Sequence, residues 1–148
     1  MKIIVNFANE IKEMIQRKQS IYLFLAALVS GVSTGFANLW MDIKGWIQPT
    51  DDAISLALFL ISAILALVVI FLFKNRKLQM NLIKVAIVLN ILLIGYLAYR
   101  LSTLPGGFSD SEKGIGLLAP FTSIILLLLA NRFIKKDEAL VKSIDRFR

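Results

Sequence analysis

Cysteine and histidine are both missing from the chain. Disulfides, thiol nucleophiles, zinc-finger spacings and imidazole acid–base chemistry are excluded with them. Charge is scarce as well: Asp, Glu, Lys and Arg make up 18% of the residues, against 57% hydrophobic ones. A soluble domain of this length carries more charge and fewer long apolar runs. None of the acidic residues lies inside an apolar block. Proton-coupled transport usually depends on an intramembrane carboxylate or His, so that class is disfavoured, along with intramembrane aspartyl and metalloproteolysis. No spacing matches a hydrolase, transferase, metal or cofactor motif. The sequence therefore predicts no catalytic residues, no metal and no cofactor.

What is present comes in blocks, with a mean hydropathy of +0.74. Ile21 to Trp40 carries no charge, and at about 1.5 Å per residue makes a helix of roughly 30 Å, the thickness of a hydrocarbon core. Ala53 to Phe73 is the cleanest block, interrupted only by Ser55 and Ser62. A third runs from about Asn81 to Tyr99, with Lys84 near enough to its start to snorkel. The fourth runs from about Gly114 to Ile134, with Pro120 near one end and Arg132 near the other. The expected fold is all-α, a polytopic membrane protein with four spans in an up-down-up-down bundle. The expected layout is an N-terminal amphipathic segment over 1–20, a transmembrane domain over 21–134, and a short C-terminal amphipathic helix over 135–148. A cleaved signal peptide is a poor account of the first block, which is too long and is followed by no small-residue cleavage site.

The net charge of +7 invites a nucleic-acid reading, but such proteins carry a basic face on a soluble module. Here the basic residues flank the apolar blocks, so no nucleic-acid partner is expected. Of the 17 Lys and Arg residues, only Lys44, Arg100 and Lys113 fall on one side of the four spans. The positive-inside bias puts the rest, and both termini, in the cytoplasm. The outer loops fit that assignment, with Trp40 and Trp46 placed like interfacial anchors. Pro49-Thr50-Asp51-Asp52 reads as a helix start. Pro105-Gly106-Gly107 reads as a turn, and Ser109 to Glu112 has capping-box spacing.

Near the expected midplane each span offers a small polar residue: Ser30, Ser62, Asn90, and Thr122 with Ser123. Either these bind a small substrate or they hold the bundle together by interhelical hydrogen bonds, which is the usual role of such residues. Gly31 and Gly35 form a GxxxG motif beside Ser30, suited to close backbone approach within the chain or between copies. Pro120, with Gly114 and Gly116, predicts a kink in span four. The basic C-terminal segment has Leu140, Ile144 and Phe147 on one helical face and Glu138 four residues before Lys142, the favourable order for an ion pair. Such a helix rests on anionic lipid headgroups or docks a cytoplasmic partner. Phe7, Ile11 and Ile15 make a second stripe before span one.

Three stretches carry a family likeness: Met14-Ile15-Gln16-Arg17-Lys18-Gln19-Ser20-Ile21-Tyr22-Leu23, Phe73-Lys74-Asn75-Arg76-Lys77-Leu78-Gln79-Met80, and Lys136-Asp137-Glu138-Ala139-Leu140-Val141-Lys142-Ser143-Ile144-Asp145-Arg146-Phe147-Arg148. From Met14 to Arg148 the chain resembles domain-of-unknown-function family 4293, small four-span proteins of the bacterial inner membrane. Residues 1–13 fall outside the likeness, which makes Met14 an alternative start. The resemblance implies a four-helix membrane fold and supplies no activity. It also implies that the distinctive polar stretches face the cytoplasm. A partner-binding face is expected from Gln16, Arg17, Gln19, Asn75, Arg76, Gln79, Asp137, Glu138, Asp145 and Arg146, where charges of both signs form a network that a purely lipid-binding surface does not need. The leading expectation is a non-enzymatic accessory, scaffold or assembly subunit with a protein partner or a second copy. A small oligomeric transporter or channel, and a lipid-modifying membrane enzyme, are the alternatives.

Overall fold

The computed structural model describes residues 1, 3–6, 9, 18–105 and 113–146. Gln16, Arg17, the Phe7/Ile11/Ile15 stripe, Met14, the Gly106-Gly107 turn, the Ser109–Glu112 capping box and Phe147 lie outside the described residues. Four long helices dominate: α1 (Lys18–Phe36), α2 (Ala53–Phe71), α3 (Arg76–Ser102) and α4 (Ala119–Arg146). Each is long and apolar enough to cross a membrane. They form a closed ring in which α1 and α3 each pack against both α2 and α4.

The side chains are distributed as lipid requires. In α1 the buried face is Gln19, Ser20, Leu23, Ala26, Ala27, Ser30 and Ser33, while Ile21, Phe24, Leu25, Leu28 and Val32 are exposed. In α2 the buried stripe again holds Ser55, Ser62, Ala63 and Ala66. Lipid tails are as apolar as leucine, so large side chains gain little by turning inward. Helices associate instead through small residues that bring backbones close and polar ones that bond across.

Local chemistry sets most helix ends. Asp52 caps α2 by accepting from the Ser55 backbone N–H at 3.1 Å, after a 3₁₀ turn over Pro49–Asp51. Asn75 caps α3, its Oδ1 accepting from the Leu78 N–H at 3.2 Å. Pro120 is the second residue of α4. A proline in the first turn forfeits only an N–H that has no helical partner anyway, so Pro120 opens the helix and does not kink it.

Three boundaries differ from the sequence expectation. Span one ends at Phe36, and the residues after it form the one β-hairpin among the described residues: β1 (Trp40–Asp42) pairs antiparallel with β2 (Gly45–Ile47). Gly45 closes its turn at φ 121°, a conformation that a side chain with a Cβ strains to adopt. Trp40 is therefore no interfacial anchor; it is 1% exposed, with the Arg100 guanidinium 5.9 Å from its ring centre. Trp46 is half-exposed. Span three continues to both sides of the expected block, over Arg76–Ser102. Most consequentially, span four and the C-terminal helix are one helix, Ala119–Arg146, because Lys135-Lys136-Asp137 contains no glycine or proline to stop it.

Two apolar clusters fill the ring. Leu39, Trp40, Phe59, Leu93, Leu97, Leu101 and Ala119 pack at the hairpin end. Leu23, Ala26, Ala27, Ala66, Val69, Ile83, Ala86, Leu127, Ala130 and Ile134 pack toward the opposite end, here the tail end.

Candidate functional site

Between those clusters lies a polar layer to which every helix contributes one side chain. Ser30 of α1 shares a hydrogen bond with Ser123 of α4 at 2.9 Å and with Ser62 of α2 at 3.3 Å. Asn90 of α3 donates one Nδ2 hydrogen to Ser62 Oγ at 2.8 Å and the other to the Ala86 carbonyl at 2.8 Å. All four residues are buried. An amide and three hydroxyls thus form one chain of bonds across the bundle, and only Asn90 Oδ1 is left without a partner. Thr122 stands apart: it is exposed and donates back to the Leu118 carbonyl of its own chain at 3.0 Å. Of the two motif glycines, Gly31 faces Ala63 of α2, where an added Cβ would sit 3.8 Å away. Gly35 has open space around it and closes no helix contact.

The hairpin end is tied by backbone. The Gly114 N–H donates to the Leu39 carbonyl and the Gly116 N–H to the Asn38 carbonyl, both at 2.8 Å. A Cβ on Gly114 would meet Asn38 O at 2.0 Å. These glycines therefore admit one loop against another and do not loosen span four. Beside them Asp52 receives the Tyr96 hydroxyl at 2.9 and 3.0 Å and the Ser55 hydroxyl at 2.5 Å, tying the start of α2 to α3. Partial burial alone would raise the Asp52 carboxyl, but the hydrogen bonds from Ser55 and Tyr96 and the charge of Arg100 outweigh it and hold the pKa below its ordinary value. The Asp52–Tyr96 tie was not found from the sequence. Its only local sign was the capping position of Asp52, and contact across so long a separation leaves no spacing signal.

The expected partner face does not assemble as a single surface among the described residues. Gln19 and Gln79 are inside the bundle, at 1% and 0% exposure, and are no part of it. Gln79 Nε2 donates at 3.0 Å to the Val69 carbonyl in the last turn of α2, which also accepts from the Leu72 N–H at 3.3 Å. Asn75 is spent on its cap, while Arg76 is half-buried beside it. Asp137, Glu138, Asp145 and Arg146 lie together on the extension of α4, where Glu138 pairs with Lys142 at 3.0 Å. Leu140, Val141 and Ile144 on the same stretch are 64%, 45% and 64% exposed.

Comparison with known proteins adds one finding: residues 15–147 match the family described as Domain of unknown function (DUF4293). The chain belongs to that family. No curated protein and no solved structure matches it. The DUF4293 match takes in the whole ring of helices, the polar layer and the extension of α4, and leaves residues 1–14 outside.

Proposed function

We propose that the chain is a non-enzymatic accessory, scaffold or assembly subunit of the bacterial inner membrane, multi-pass in up-down-up-down order with both termini cytoplasmic. The order is supported by which ends meet. Trp40 bridges to Lys113 and Asp52 bonds Tyr96 at one end. Tyr22 stacks on Phe133 at 5.3 Å and Val69 accepts from Gln79 toward the other. The cytoplasmic assignment of the tail end rests on the concentration of Lys and Arg there.

The observation that carries the functional reading is the extension of α4. It leaves the ring near Ile134, which is fully buried, and runs on to Arg146 with Leu140, Val141 and Ile144 exposed among charges of both signs. Exposed apolar residues rimmed by polar ones mark interaction surfaces, and a helix face read at i, i+4 is a common docking mode. The Lys and Arg residues around it suit anionic headgroups nearby. The test is purification of the tagged protein from its native membrane in mild detergent, beside a Leu140→Asp/Ile144→Asp variant. A stoichiometric partner, or a second copy, that is present with the wild type and lost with the variant is the expected result. A wild-type protein that emerges alone with lipid refutes the reading.

A small oligomeric transporter has one observation in its favour, the unpartnered Asn90 Oδ1 at the midplane. On that reading Asn90→Leu abolishes flux in reconstituted vesicles while the protein stays folded. Unchanged flux removes it.

A further inference from the structure

The tail end of the bundle interior holds more polar side chains than its own hydrogen bonds use. Measured from the polar layer, Gln19 and Gln79 each lie about three turns, or ~16 Å, toward that end. Three turns return a side chain to nearly the same face, so both point inward as Ser30 and Asn90 do, and both are buried. Asn131 of α4 lies a little over two turns along in the same direction. Leu23, Ile83 and Ile134, each about one turn from one of these residues, belong to a single packed cluster. Three helices thus bring amides to one end of one core.

The donor and acceptor count is lopsided. Gln79 commits Nε2 to the Val69 carbonyl, which fixes its amide and leaves Oε1 open. Among the described residues, Gln79 Oε1, Gln19 Oε1, Gln19 Nε2, Asn131 Oδ1 and Ser20 Oγ are buried without a hydrogen-bond partner. Three of these atoms only accept, one only donates, and the hydroxyl does either. Buried polar groups are paired with protein or with a bound molecule. Gln19 Nε2 carries two N–H groups, so an occupant that meets the whole set donates to the three amide oxygens and also accepts from Gln19. Carboxylates and phosphates, which present acceptors alone, do not fit.

We infer that Gln19, Ser20, Gln79 and Asn131 line a small internal site that takes a hydrogen-bond donor, either water or a protonated primary amine. Water needs two to four polar partners in a polar pocket, and this set supplies them. An ammonium group, free or on a lipid, offers three donors and no acceptor, which matches the three amide oxygens and leaves the Gln19 N–H groups to a water beside it.

The experiment uses the full chain, labelled with ¹⁵N-glutamine, in phosphatidylcholine nanodiscs, whose quaternary headgroup has no N–H. Magnetisation transfer from water to the Gln19 and Gln79 side-chain amides identifies water as the occupant. A shift of those signals by methylammonium chloride, but not by tetramethylammonium chloride, identifies an amine. Either outcome supports the site, provided that Gln19→Leu then abolishes the effect at Gln79, as a shared occupant requires. Should Gln19→Leu fail to fold, Gln19→Met keeps the length of the side chain without its amide. A Gln79 amide silent to both probes, or one whose response survives the change at Gln19, overturns the inference.

Discussion

The polar layer can be tested by replacing Asn90 with Ala, but the single substitution is a weak probe. It removes two hydrogen bonds of 2.8 Å, worth about 1 kcal/mol each, and also removes an unpartnered buried oxygen whose burial costs about 1–3 kcal/mol. The two effects oppose, so the net change should fall within about 2 kcal/mol of zero. A double-mutant cycle with Ser62→Ala isolates the interhelical bond, since the Ala86 contact and the orphan oxygen cancel between its two arms. Side-chain hydrogen bonds between membrane helices average about 0.6 kcal/mol and reach about 1.7. At 2.8 Å between fully buried groups, the Asn90–Ser62 coupling is expected near the upper half of that range. Reversible unfolding in mixed micelles, titrated with a denaturing detergent, measures it. Asn90 paired with Ser123, which touches Ser30 and not Asn90, should couple less. A vanishing Asn90–Ser62 coupling, or equal coupling for both pairs, would refute the directed chain of bonds.

Three further outcomes are expected. Gly114→Ala should destabilise by about 2–3 kcal/mol, because a Cβ 2.0 Å from Asn38 O must push two loops apart and break the 2.8 Å bond to Leu39; Gly35→Ala should be neutral or stabilising by up to about 1 kcal/mol, and equal losses at both positions in a detergent unfolding series would count against the contact. For Asp52 the folded pKa lies below the ordinary 3.8, so its stabilising contribution is complete above pH 3.8 and is lost as pH falls through the depressed value. Tyr96→Phe should cost about 1 kcal/mol and move that acid limb upward in pH; a limb that stays in place would show that the hydroxyl does not hold the carboxylate. Finally, Leu140→Asp/Ile144→Asp should leave the unfolding midpoint of the bundle unchanged, since both side chains are largely exposed, and a large drop would mean that the extension is part of the core.

The count of spans was legible because a hydrocarbon core needs long uncharged runs, and four such runs stand in the sequence. The polar layer was legible too, since Ser30, Ser62, Asn90 and Ser123 sit near the middle of those runs and lipid leaves them few partners besides each other. Thr122 shows the limit of that argument, as adjacent helical residues point about 100° apart and midplane depth says nothing of direction. The hairpin was hidden because Leu39 and Trp40 extend an apolar run that hydropathy assigns to a helix; the Asp42-Ile43-Lys44-Gly45 turn was the available sign. Gln19 and Gln79 were misplaced for a related reason. Flanking Lys and Arg made their stretches read as surface, whereas the period from Gln19 to Leu23 and from Gln79 to Ile83 already carries the buried face one turn further out.

The continuity of α4 bears most directly on what its amphipathic end can meet. An amphipathic helix rests on a bilayer by lying in its plane, so a span leading into one must turn between them. No glycine or proline stands between Ile134 and Arg146, and the helix is unbroken. From Ile134, the last residue buried in the ring, Ile144 lies about 15 Å further along the axis. With the hydrocarbon edge set at Ile134, a straight helix carries Leu140 about 9 Å and Ile144 about 15 Å beyond it, at and past the outer edge of a headgroup layer of about 5–7 Å. On the proposed reading a protein surface, a partner's or a second copy's, covers their apolar face, while Lys135 and Lys136, closer to the ring, are within reach of anionic lipid. Single cysteines at Lys136 and Ile144, both on a background free of native cysteine, separate the two cases: a bilayer-depth quencher should reach a label at position 136 and miss one at 144, and equal quenching would lay the helix back on the membrane.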